Sequence, residues 1–234
     1  MTPATNPSRS DASPSGRRIQ GRTLAERQAR RREAMLAAGL DMFGTQGYAG
    51  TTVDTVCRQA AVSTRNFYEE FDNRLDLLVA VGERIAAQAF TAWTTGPRRP
   101  VAGVRARVAA LVHALVDDPR VARVAFVESL AIDAEGGDRR RELLRIFPDW
   151  IASYLAAHFD SLGIPERRRR VLAAAAFGAG VELVSLWVLN GEPGGADDGR
   201  GTVDDLIDDV VDVTAAILRL TPGGGVSTGG PGGR

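Results

Sequence analysis

Lysine is absent: all 29 basic residues are arginine. A GC-rich coding sequence produces such a bias, and no mechanism follows from it. Cysteine is nearly absent. Cys57 stands alone, which excludes an intrachain disulfide and fits a reducing cytoplasm. The two histidines, His113 and His158, fall on different predicted helices. Without a His-x-x-His spacing or a second cysteine, no metal site is expected. Nucleophile-elbow, Walker and convincing dinucleotide-binding glycine motifs are missing. No catalytic residue and no cofactor is therefore assigned, and the reading is not that of an enzyme. The formal net charge is zero, so total charge says nothing about partners.

The distribution of charge says more. Residues 1–75 carry 11 Arg against 8 acids, whereas the remainder carries 18 Arg against 21 acids. Between Arg17 and Arg32, seven Arg face a single acid, Glu26. A basic N-terminal stretch beside an acidic remainder suits nucleic-acid contact at one end, or a solvated tail. Residues 1–22 are rich in Ser, Pro and Arg and lack an apolar core, so they do not read as a signal peptide. Residues 221–234 are Gly-rich. Neither end can bury enough apolar surface to offset its ordering entropy, so both are expected to be disordered. The most apolar stretch, Val171–Leu189, is long enough to span a membrane. It contains Glu182 and follows four consecutive arginines, and reads better as a buried bundle helix, with no membrane partner.

Between the two ends helical periodicity is continuous and strand alternation scarce, so the fold class is all-α. A first helix is expected from about Leu24 to Thr45, with Met35, Leu36, Leu40 and Phe43 on one face and Gly47 as its stop. Thr51 or Thr52 caps a short second helix with Val53, Val56, Cys57 and Ala60 at helical spacing. After a turn at Ala61–Val62, Ser63 caps a third helix carrying Phe67 and Phe71, and Asp72 or Asn73 caps a fourth that runs to about Thr94. Further helices are expected at Val101–Val116, Pro119–Ala134, Arg139–Leu162, Pro165–Asn190 and Val203–Leu220. This divides the chain into a basic arm (1–22), a three-helix domain with a helix-turn-helix pattern (23–72), a larger helical domain (73–220) and the Gly-rich tail.

The informative segment is Thr51–Leu78. Two short helices cross steeply across a tight turn only if their contact residues are small, and Cys57 and Ala61 are read in that role. Val56, Val62 and Phe67 then pin the helices together. Thr64, Arg65 and Asn66 are left at the start of the third helix, where a recognition helix meets the major groove. Arginine donates two hydrogen bonds to guanine, and asparagine pairs bidentately with adenine. Free N–H groups at helix starts also attract phosphate, a role that Thr51, Thr52 and Arg74 fit and that Ser63 shares by position. The arm residues Arg17, Arg18 and Arg22 either follow the minor groove and phosphates or dangle free.

The run AAVSTRNFYEEFDNRLDLL resembles the helix-turn-helix and following helix of the TetR family. The likeness lies in the Val-Ser of the turn, the pair Phe67–Tyr68, and Phe71 followed by a cap, a basic residue and leucine. With the stretch from Arg31 to Gly47, it covers roughly residues 24–80. In that family the positions of Tyr68 and Arg74 commonly contact phosphate. The family often has Gly where Ala61 stands and usually has Lys where Arg74 stands.

The resemblance implies a dimeric, cytoplasmic repressor released from a palindromic operator on double-stranded DNA when a small hydrophobic effector binds. A helical small-molecule-binding protein without DNA recognition is the rival reading. The effector cavity is expected between residues 100 and 190, bordered by some of Phe126, Phe147, Trp150, Tyr154 and Phe177. Glu128 and Glu182 are acids on otherwise apolar helices and call for an arginine or a ligand cation. The homodimer is expected from the last two helices, with five aspartates of the final one turned to water.

Overall fold

The computed structural model describes residues 24–95, 102–128, 149, 152–153, 165–190 and 201–219. Among them every regular element is helical, as the pattern of apolar residues requires. We label the helices α1 (Leu24–Gly50), α2 (Val53–Ala60), α3 (Thr64–Tyr68), α4 (Arg74–Thr95), α5 (Ala102–Val116), α6 (Pro119–Arg123), α7 (Glu166–Leu189) and α8 (Val203–Arg219). A single π-helical turn, Val124–Glu128, continues α6. Of the expected helix at 139–162 only residues 149 and 152–153 are described, and they are helical; both low-complexity ends and the expected continuation of α6 to Ala134 lie outside the described residues.

Local chemistry explains the boundaries. α1 bends at Gly47, whose φ of 76° and ψ of 166° belong to a region essentially closed to side chains. Thr52, rather than Thr51, caps α2: its hydroxyl accepts from Thr55 N, and Thr55 returns the contact to the cap backbone. Ser63 Oγ accepts from Asn66 N at 3.2 Å at the start of α3. Asn73 Oδ1 accepts from Leu75 N and Asp76 N at 2.8 and 3.0 Å and opens α4. Asp118 caps α6 with Pro119 next in line, and the Arg120 guanidinium holds its carboxyl below the ordinary range.

Two apolar cores result. The first joins Met35, Phe43, Val56, Phe67, Phe71, Leu77, Leu78, Val81 and Ile85 with Val121 and Val124. It therefore does not stop at residue 72, because the end of the first domain's core is supplied by α4 and α6. At Gly44 a Cβ would lie 2.7 Å from Arg120 Cα, so only glycine lets α6 approach α1 this closely. The second core joins Val108, Val112 and Val116 of α5, Val184 of α7, and Leu206, Ile207 and Val210 of α8. Trp93, Phe126 and Trp187 pack partly buried against it. α4 is thus a shaft shared by both cores.

α8 shows the stripe its sequence announced, with Leu206, Ile207 and Val210 inside and its five aspartates outside. Two of the five do not simply face water: Asp208 and Asp204 lie 2.8 and 3.7 Å from the Arg105 guanidinium of α5. α7 departs from a fully buried bundle helix. Leu172, Ala173, Ala176 and Val184 are buried, whereas Val171, Ala174, Ala175, Gly178, Glu182, Leu186 and Leu189 form an exposed stripe. Glu182 is accordingly not a buried acid within this chain. α7 is the one described helix long and apolar enough to cross a membrane. The carboxylate in the middle of its exposed stripe argues against lipid, where an unpaired charge is costly.

Candidate nucleic-acid interface

α3 has only five residues, too few to be stable alone. Its position is imposed by Phe67, fully buried, and by Phe71 just beyond it, their rings 5.6 Å apart. Val56 and Cys57 of α2 close the same contact from the other side. Burial pushes the Cys57 thiol above its ordinary range, partly opposed by a hydrogen bond with the Thr64 side chain. The buried thiol packs in the first core. Ala61 is exposed, with φ 53° and ψ 43°. The sequence gives it a role at the helix crossing, which its exposure does not support. It instead occupies the left-handed turn, in which Val62 N donates to Cys57 O at 3.0 Å.

With Phe67 anchored inwards, the opposite side of α3 faces out. Thr52, Ser63, Thr64, Arg65 and Tyr68 are exposed and Asn66 is half-buried. Arg65 shows 88% of its side chain, although its Nε lies 3.3 Å from Glu69 Oε1 one turn on. An exposed pair of this kind is worth well under ~1 kcal/mol and leaves the guanidinium available. Tyr68 stands edge-on to Phe67 at 5.5 Å, with more than half of its surface open. Behind this face, α1 supplies Arg31 and Arg32, which lie 4.0 Å from Glu69 and 3.6 Å from Glu70. Arg32 also sits 4.7 Å over the Phe71 ring.

Two residues expected at phosphate do other work. Thr51 is fully buried, and its hydroxyl donates to Gly47 O at 2.7 Å. It is removed from the candidate contacts because no ligand atom can reach a side chain with no accessible surface. Arg74 points inwards: its Nη1 donates to Thr51 O at 2.7 Å and to Tyr48 O at 3.1 Å. Its guanidinium carbon stacks 4.1 Å over the Tyr48 ring. In this structure Arg74 ties the start of α4 to the α1–α2 connection. A lysine could reach those carbonyls but would not stack a planar group on the ring.

Of the expected effector-cavity residues, Phe147, Trp150 and Tyr154 lie outside the described residues, as does His158. Phe126 and Phe177 are both partly buried, and Phe126 packs against the second core. Among the described residues no group of three or more His, Cys, Asp or Glu side chains could hold a metal ion. His113 is exposed and lies 2.9 Å from Asp117 on its own helix. Sequence reasoning missed Arg107, a buried guanidinium on α5 that donates to the Trp93 carbonyl. It also missed the ion pair joining α6 to α1, in which Arg120 lies 3.1 Å from Asp41. That pair joins residues distant in sequence, and no local spacing announces it.

A short helix anchored by one aromatic, with its polar side outwards behind a tight left-handed turn, defines a helix-turn-helix protein. Residues 35–81 match the family model described as bacterial regulatory proteins of the tetR family. Residues 35–81 thus resemble the N-terminal domain of TetR-type transcriptional regulators. No curated protein sequence matches it, but solved structures do. The fatty acid degradation regulator FadR from Bacillus halodurans is 18% identical, with a TM-score of 0.61, covering 82% of this chain and 96% of that one. A TetR-family regulator from Pectobacterium atrosepticum is 20% identical, with a TM-score of 0.59, covering 85% and 96% of the two chains. A TetR-like regulator from Rhodococcus sp. RHA1 is 18% identical, with a TM-score of 0.57, covering 81% and 96%. At these identities the likeness concerns the fold.

Proposed function

We propose that the protein is a dimeric, cytoplasmic repressor that holds a palindromic operator through α3 and releases it when a small hydrophobic molecule enters the C-terminal region. The observation that carries this reading is the division of α3: Phe67 is locked in the core while Thr64, Arg65 and Tyr68 project outwards. In this reading Arg65 reads a base, Asn66 assists it, and Thr52, Ser63, Thr64 and Tyr68 meet phosphate or base edges. Arg74 acts one step behind, by holding the connection that delivers Thr52. No catalytic role is assigned.

The exposed α7 stripe supports the dimer. Ala174, Ala175 and Gly178 permit close approach of a second helix, and Leu186 and Leu189, 46% and 57% exposed, offer apolar surface to cover. Two copies related by a two-fold axis would present two α3 helices to successive major grooves, about 34–36 Å apart. The effector site is proposed within residues 100–190, bordered by some of Phe126, Phe147, Trp150, Tyr154 and Phe177. FadR, by its printed name, regulates fatty acid degradation, which agrees with an apolar effector without naming one.

Selection of duplexes from a random library with the purified full chain tests the reading. A palindromic site should emerge, and Arg65→Ala should relax base preference at one position per half-site at a cost of about 1–3 kcal/mol. Tyr68→Phe should weaken all duplexes alike. Recovery of no preferred duplex would favour the rival, a helical ligand-binding protein that does not read DNA.

A further inference from the structure

The segment Gly47–Thr52 is gripped from two sides. Gly47 takes the backbone out of the α1 helix, and at that kink Tyr48 N donates to Glu128 Oε2 at 2.7 Å. The other oxygen of the same carboxylate accepts from Arg123 Nε at 2.9 Å. The Glu128 side chain is only 11% exposed. A Cβ on Gly47 would come within 2.9 Å of Arg123 Nη2 and 3.1 Å of Glu128 Oε1, so the carboxylate and guanidinium occupy the space that glycine leaves. Arg74 in turn takes the carbonyls of Tyr48 and Thr51. Thr51 closes the loop on itself through its bond to Gly47 O. Thr52, the next residue, caps α2.

Glu128 itself ends the π-helical turn that carries Phe126, and Phe126 packs against the second core. One turn of helix therefore separates the core of the C-terminal region from the backbone that starts the helix-turn-helix. π-Helical turns are energetically poor and recur at functional positions. A charge-assisted bond to a backbone N–H is roughly twice as strong as a neutral one, and its partial burial limits competition from water.

We propose that Glu128 is a positioning residue for DNA recognition: its carboxylate fastens the π-helical turn to the α1 kink and so fixes where α2 and α3 stand. A shift of that turn moves the Gly47–Thr52 backbone with it, and release of the carboxylate frees the segment on one side. This proposal rests on the DNA-binding reading above. It differs in assigning the placement of α2 and α3 to one acid that touches no DNA.

The test compares Glu128→Ala and Glu128→Gln with the wild-type full chain by two readouts. The first is amide hydrogen exchange over residues 47–52. The second is affinity for a duplex selected from a random library with the wild type. Loss of a charge-assisted bond should speed exchange of that segment about tenfold or more while α5 and α8 keep their protection. Duplex affinity should fall about tenfold, with Glu128→Gln intermediate because its amide oxygen still accepts from Tyr48 N. Unchanged exchange at 47–52 in both variants overturns the proposal, as does exchange that rises equally in every helix. If Glu128→Ala does not fold, Glu128→Gln carries both readouts alone. If the wild type selects no duplex, the DNA-binding reading falls, while the exchange comparison still decides whether Glu128 holds the kink.

Discussion

Around α2 and α3, two helices of eight and five residues hide nearly all their apolar side chains within one chain. α7 has 24 residues, more apolar surface than either, and leaves Val171, Leu186 and Leu189 about half exposed. The short helices are positioned by what they bury: Phe67, Phe71 and Val56 have one place to go, and their polar sides face outwards as a consequence. The long helix has two apolar sides, and among the described residues one is covered, by α8 and the π-helical turn. A surface finished within the chain is free to meet a hydrophilic partner. A surface left apolar is suited to one more protein layer.

The strongest way to break this contrast is to charge the α7 stripe. Leu186→Glu together with Leu189→Glu would place four carboxylates in a two-fold interface. An uncompensated buried charge costs on the order of 3–5 kcal/mol, so the dimer should vanish at micromolar concentration. The helical circular dichroism signal should persist, since both positions are open in the single chain. Sedimentation velocity decides: a wild type that already sediments as a monomer, or a double variant that remains dimeric, removes α7 from the interface. The reverse experiment attacks the closed unit. Phe67→Ala should destabilise the protein by about 3–5 kcal/mol because it empties the centre of the first core. The loss should register in denaturant unfolding without any change in oligomeric state. A much smaller loss would mean that α3 is held by something other than its aromatic anchor.

The helix-turn-helix was legible because its determinants are local. Ser63 as a cap, Phe67 and Phe71 four residues apart, and Gly47 as a stop each act within a few residues. The second core was legible in part, since the α8 stripe at Leu206, Ile207 and Val210 shows in its spacing. Burial at Thr51 was not legible. A threonine at a helix start looks the same whether its hydroxyl meets phosphate or a carbonyl four residues back, and here the Gly47 kink decides. The inward contacts of Arg74 were not legible either: a basic residue opening α4 gives no sign of the Tyr48 ring and the two carbonyls beneath it. Glu128 was recognisable as an acid in need of a partner, but its second partner is a backbone amide 80 residues away. No periodicity encodes such a contact.

The smallest expected effect concerns the turn itself. Ala61 sits in the left-handed region at φ 53°, the one non-glycine residue with positive φ among those described. Its N–H reaches Arg58 O and Cys57 O, closing α2. A Cβ in that conformation crowds the following carbonyl and costs about 1–2 kcal/mol. Glycine removes that strain but adds freedom to the unfolded chain, which returns about 0.4–1 kcal/mol of the gain. Because Ala61 is exposed, no packing is lost with its methyl group. Ala61→Gly should therefore stabilise the protein by about 0.5–1 kcal/mol. Denaturant unfolding should show a higher midpoint at unchanged slope. The α3 face should be unaltered, so duplex affinity should stay within about twofold of the wild type. A lower midpoint would mean that the turn is not strained, and that alanine at this position limits the freedom of α2 and α3 more than it strains the backbone.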